Sequence, residues 1–177
     1  MTGPQGTWRH LAYARQVLSA FRLDGRAEAV SCDLADLEAL PPVVDHTSSA
    51  FGRLDILVNN VGGTAPRAFL DTSPGYLERA FHFNVTVAFQ LSRLAVPLLL
   101  AGDHGSIINL SSAMARLRDR GFVANATAKS AVSHLTRQMS IDLSPRIRVN
   151  EVAPGTIETE VDGGQEQPAL GLGLPDL

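Results

Sequence analysis

The chain has 177 residues, 45% of them hydrophobic and 19% charged, with a net charge of −3 and pI near 5.9. That is enough for one domain with its own core, and too apolar for a disordered chain. The arginines are scattered and form no basic stripe, which excludes a nucleic-acid footprint. The longest apolar run, Leu94 to Ala101, holds Pro97 and is too short to span a bilayer. Met1 to Gly6 has no basic region followed by an apolar core, so no secretory signal is expected. A single cysteine, Cys32, excludes an internal disulfide and fits a cytoplasmic location. The five histidines show no metal-ligand spacing, and no metal is expected.

In chain order, residues 1–7 read as a loop. Trp8, Leu11, Leu18 and Phe21 recur at helical spacing, which predicts a helix to about Leu23, closed by Asp24-Gly25. Ala27 to Cys32 alternates as a short strand would, and ends in Asp33-Leu34. The next helix should start at Pro42, because Pro41-Pro42 lack N–H groups and fit only a first turn. Gly52 closes it. Leu54 to Val58 is a near-continuous apolar run followed by Asn59-Asn60-Val61-Gly62-Gly63, the pattern of a buried parallel strand leaving a sheet.

Gly63 to Asp71 is a loop. Ser73 as cap and Pro74 in the first turn start a helix that runs to about Leu100. Ser106 to Leu110 is another buried strand. Asn125 to Leu143 is a helix with Ala128, Val132, Leu135 and Met139 on one side, and Ile147 to Val152 is a strand ending in Ala153-Pro154-Gly155. Strands alternating with helices predict an α/β fold with a parallel, doubly wound sheet of four strands, fewer than such sheets usually hold. Residues 1–160 form this domain, and 161–177 form an irregular tail rich in Gly, Pro and Gln.

Polar residues gather where these strands end, which is where open α/β sheets bind ligands. Among them is Lys129, the only lysine among 15 basic residues. The motifs Cys32-Asp33-Leu34, Val58-Asn59-Asn60-Val61-Gly62, Asn84-Val85, Leu110-Ser111-Ser112, Lys129 and Arg148-Val-Asn-Glu-Val-Ala-Pro154-Gly155-Thr-Ile157-Glu-Thr159 stand in one order. Together, from Ala27 to Thr159, they resemble the short-chain dehydrogenase/reductase family, and are similar in particular to its hydroxysteroid and 3-oxoacyl-carrier reductase type.

The resemblance implies a Rossmann-like domain binding NAD or NADP. It implies hydride transfer between the nicotinamide and a small-molecule carbonyl or secondary alcohol. Such enzymes use a Ser to orient the substrate oxygen and a Tyr as general acid/base. A Lys four residues later lowers the Tyr pKa and holds the nicotinamide ribose, and a helical Asn supports a proton relay. Carried over by position, these are Ser112, Lys129 and Asn84, and the Tyr position is Asn125. Tyr13 and Tyr76, the only tyrosines, fall in other elements. The resemblance assigns cofactor contacts to Asp33, Leu34, Asn60, Gly62, Lys129, Pro154, Gly155, Ile157 and Thr159. It makes the helices from Ser73 and Asn125 a homodimer or tetramer surface.

Three departures qualify it. An amide at 125 cannot serve as a phenolic acid/base. The Gly-rich pyrophosphate turn is reduced to Thr2-Gly3-Pro4-Gln5-Gly6-Thr7-Trp8 or is missing, depending on whether Trp8 to Leu23 is taken as the family's first or second helix. The substrate lid after Thr159 is absent, with Val161-Asp162-Gly163-Gly164 following at once. The sequence therefore supports either a family oxidoreductase or a catalytically impaired remnant acting through dimer or partner contacts.

Overall fold

A computed structural model describes residues 27–155. The predicted helix over Trp8 to Leu23, the glycine remnant, Ile157, Thr159 and the tail all lie outside the described residues. Three parallel strands form the sheet: β1 (Ile56–Asn59), β2 (Gly105–Leu110) and β3 (Ile147–Val152), in the order β1-β2-β3. The register sets Asn59 beside Asn109, and Asn109 beside Glu151. The helix α1 (Pro41–Phe51) precedes β1, α2 (Pro74–Phe81) and α3 (Val87–Ala101) lie between β1 and β2, and α4 (Val123–Asp142) lies between β2 and β3.

The helix ends follow local chemistry. Two prolines occupy the first turn of α1, where their missing N–H groups cost nothing. Gly52 ends α1 in the left-handed conformation, φ 72°, and its N–H donates to Ser48 O. Ser73 caps α2 by accepting from the Tyr76 N–H. One feature left no trace in the apolar periodicity. A π-helical turn, His82–Thr86, joins α2 to α3. The side-chain amide of Asn84 bonds the Ala80 carbonyl at 2.8 Å inside this widened turn, so the long helix continues without a break. The stretch Pro74–Ala101 is long and apolar enough to cross a membrane by composition. In this fold Val87, Ala88, Ala95 and Leu99 spend that apolarity against the sheet and its neighbours.

One strand of the expected four is not formed. Ala27 to Cys32 forms no strand and pairs with none among the described residues. A strand exists only where a partner lies about 4.8 Å away, and here a cleft of about 260 Å³ separates Val30 and Cys32 from Val58. The segment is held instead by side chains. His46 on α1 meets Glu28 at 2.6 Å, and His82 meets the Ala35 carbonyl at 2.7 Å.

The main core packs α3 and α4 on one face of the sheet: Ala95, Leu99, Ile107, Met139, Ile147 and Val149. Each fully buried aliphatic side chain here contributes about 1.5–3 kcal/mol. On the opposite face Ile56, Val58 and Val152 remain 57%, 51% and 50% exposed. Within the core lies a buried amide network. Asn59 Nδ2 donates to Asn109 Oδ1 at 2.8 Å and to Ser92 Oγ at 2.9 Å, while Asn109 Nδ2 donates to Thr136 Oγ1 at 2.9 Å. Replacing Asn109 by Ala strands these partners in a dry interior, which costs about 1–3 kcal/mol. Urea unfolding should show the loss as a lower midpoint with an unchanged slope; an unaltered midpoint would count against the network.

Candidate functional site

The site lies at the C-terminal ends of the three strands. After β2 the chain turns at Ser112, which is extended and caps a short 3-10 turn, Ala113–Ala115, its Oγ accepting from Met114 N at 3.2 Å. That turn is fastened on three sides. Ala113 N donates to Pro154 O at 2.8 Å, Ser130 Oγ donates to Ala115 O at 2.8 Å, and Arg116 pairs with Glu151 at 3.0 Å. Arg116 itself stays largely in solvent, its guanidinium reaching the Glu151 carboxylate that β3 presents.

Lys129 stands on the first half of α4, one turn after Asn125. It is not a solvated surface lysine: it is 8% exposed, and its Nζ donates to Leu110 O at 2.8 Å. Burial alone drives its pKa below the ordinary lysine value, because removing the ammonium from water favours the neutral amine. Gly62 is the reason it can sit there. A Cβ at Gly62 would come within 2.6 Å of Asn84 Oδ1 and 2.9 Å of Lys129 Nζ, so both polar atoms converge on space that only glycine leaves open.

Asn84 is spent on the backbone. Its Oδ1 accepts from Gly63 N at 2.9 Å, and its Nδ2 donates to the Ala80 carbonyl, with longer bonds to Gly63 O and Thr64 Oγ1. Asn125 does the same work from α4, donating from Nδ2 to Thr64 O at 3.3 Å. Tyr76 adds a third hold, its hydroxyl donating to Ala65 O at 2.7 Å. Thr64, Tyr76 and the Leu110 carbonyl are thus parts of the site that sequence reading missed. Backbone acceptors leave no mark in a sequence, but Tyr76, as one of two tyrosines, was a usable signal.

The residues assigned to a dinucleotide fall in two groups. Leu34, Asn60 and Val61 line the apolar cleft together with Val30, Cys32 and Val58. Asp33 stands at its edge, but its Oδ1 already accepts from Ala35 N at 3.0 Å, a local turn contact. Gly62, Lys129, Pro154 and Gly155 form the other group, beside Ser112. The described residues therefore fit a dinucleotide at both ends, an apolar slot for a flat ring and a lysine for ribose hydroxyls. Cys32 lines the slot as an inert thiol: burial pushes its pKa up, Asp33 and Asp36 add to that, and Sγ donates to Ala39 O. Among the described residues no group of His, Cys, Asp and Glu could hold a metal ion.

The burial of Lys129 has a consequence for stability. Its folded pKa lies below the unfolded value, so below the folded pKa both states bind the proton and burying the charge costs stability in full. As pH rises from the folded pKa toward about 10.5, the unfolded chain binds more protons than the folded one, and stability rises. Lys129→Met should therefore be more stable than the parent chain at neutral pH, and the difference should shrink across that alkaline window. Thermal melts of both chains at stepped pH check this, and a gap that stayed constant would refute it.

Comparison with known proteins places this geometry. The family description "short chain dehydrogenase" matches residues 8–169. An uncharacterized oxidoreductase of Mycobacterium tuberculosis is 50% identical over 84% of this chain and 56% of its own length. The 7alpha-hydroxysteroid dehydrogenase of Escherichia coli is 38% identical over 78% and 54%. Among solved structures, a 7 alpha-hydroxysteroid dehydrogenase complexed with NADH and 7-oxo glycochenodeoxycholic acid superposes with a TM-score of 0.76. Its identity is 36%, over 81% of this chain and 57% of that one. A Serratia marcescens short-chain dehydrogenase/reductase variant reaches a TM-score of 0.78 at 37% identity, over 87% and 64%. The chain spans about half the length of the curated relatives it matches. With its parallel sheet, flanking helices and strand-end site in the corresponding order, the chain belongs to the short-chain dehydrogenase family.

Proposed function

We propose that the chain is an NAD(P)-dependent oxidoreductase that moves a hydride between the nicotinamide and a carbonyl or secondary alcohol, of steroid-like or acyl type. The observation that carries this reading is the convergence of Ser112, Lys129, Asn84 and Gly62 at the ends of β1 and β2. Ser112 offers a hydroxyl proton to a substrate oxygen while its Oγ lone pair holds Met114 N. Lys129 offers Nζ donors beyond the one spent on Leu110 O, suited to ribose hydroxyls. The bound dinucleotide supplies the hydride chemistry; the chain binds, orients and excludes water.

A second reading rests on Asn125. Its amide faces Thr64 O and carries no titratable proton, so the position that serves as acid/base in the family here serves only to hold a loop. This favours an impaired enzyme that works, if at all, through contacts between chains. The apolar residues Phe89, Leu100 and Ile141, exposed on the two long helices, are where a homodimer or tetramer would pair.

Calorimetric titration with NADH and NADPH separates the two. Micromolar binding with slow oxidation of a hydroxysteroid supports the enzyme, and no binding with no turnover supports the remnant. Restoring a phenol with Asn125→Tyr should raise turnover by about 10²-fold or more, the usual worth of a positioned acid/base group. An N125Y chain that binds cofactor but gains no rate would show that more than residue 125 is missing.

A further inference from the structure

In the oxidoreductase reading a substrate oxygen would meet Ser112, Asn84, Asn125 and Lys129, and the first three cannot exchange a proton near neutral pH. The Asn125 amide is committed to Thr64 O, and the Asn84 amide to Gly63, Ala80 and Thr64. The Ser112 hydroxyl does not titrate in this range. Tyr76, the nearest phenol, is turned to Ala65 O under the guanidinium of Arg67, 4.0 Å from its ring centre. It belongs to the outer side of the loop.

Resting on the oxidoreductase reading, we propose that Lys129 itself passes the proton to and from the substrate oxygen. Its Nζ is anchored at the end of β2 by Leu110 O, two residues from Ser112, and lies on the same helix face as residue 125. The elements packed around it present carbonyl, amide and glycine: Leu110 O from β2, Gly62 from the loop after β1, Asn84 from the π turn. Arg116, after the Ser112 turn, and Glu151 on β3 are paired to each other at 3.0 Å. Burial with no counter-charge makes the neutral amine accessible at milder pH than for a free lysine.

In alcohol oxidation the neutral amine takes the hydroxyl proton while the carbinol C–H bond breaks, its electron pair leaving as hydride to the nicotinamide. The C–O bond becomes C=O, and an ammonium remains. Ketone reduction runs the same step backwards and needs the ammonium. Oxidation should therefore rise with pH through the Lys129 midpoint, and reduction should fall through it.

Because Lys129 is the sole lysine, a chain labelled with [15N]lysine gives a single Nζ signal. Its NMR titration reports the midpoint directly, with NADH present and without it. Initial rates on cholic acid and cyclohexanol with NAD⁺ give the pH profile. The expected result is a midpoint below the free-lysine value that coincides with the rising limb of the rate profile. Lys129→Arg keeps the cation and its donors but cannot release a proton. It should retain measurable NADH binding and, with NAD⁺ and substrate saturating, lose about 10²-fold or more in rate. A K129R chain that keeps its rate and profile overturns the proposal, as does an Nζ midpoint unrelated to the rate limb, or cofactor binding with no turnover in the parent. Failure to bind NADH at all defeats the oxidoreductase reading itself. In Tyr76→Phe, whatever its rate, an alkaline limb that persists at the Lys129 midpoint supports the proposal, and one that vanishes overturns it.

Discussion

The amide of Asn109 is the interaction on which the site's geometry depends. It accepts from Asn59 and donates to Thr136, so one side chain ties β1 to β2 and the sheet to α4. Ser92 brings α3 into the same network. These groups are buried, so each hydrogen bond is strong and each unmade one expensive. Apolar packing of Ile107 against Leu99 and Met139 would tolerate a small slide of α4 along the sheet. The amides do not, because a slide would leave donors unpaired. Lys129 lies two turns before Thr136 on α4, and so the height of its ammonium above the sheet is set by a network that never touches a ligand.

A second layer of the same logic holds the loop after β1. Gly63, Thr64 and Ala65 are gripped by Asn84, Asn125 and Tyr76, three side chains from two different helices. The π turn contributes by adding width where Asn84 must face both Ala80 and Gly63. Such a loop needs no strand on its far side to keep its shape. This explains how the polar half of the site stays formed although the segment before Asp33 does not pair with β1.

Much of this was legible in the chain, and what was not has physical causes. The three strands, the helix cap at Ser73 and the helix start at Pro42, which the structure moves to Pro41, came from apolar runs and from Pro, Ser and Gly chemistry, which act locally. The fourth strand failed because a strand is a relation between two segments, and Ala27 to Cys32 carries only its own half of the pattern. The buried state of Lys129 could be suspected from its being the sole lysine, but not known. It depends on Gly62, 67 positions earlier, leaving room above its Cα. Likewise the task of Asn125 rests on a carbonyl, Thr64 O, which every residue has and no sequence marks.

The division of the sheet into two faces decides what this length of chain can do. Everything that positions Ser112, Asn84, Asn125 and Lys129 belongs to the face covered by α3 and α4, or to loops pinned to it. The opposite face leaves Ile56, Val58 and Val152 exposed, and the apolar cleft opens beside β1. The glycines that hold pyrophosphate in this family are not among the described residues. The side chains around Ser112 and Lys129 are thus held by one self-supporting layer of the fold.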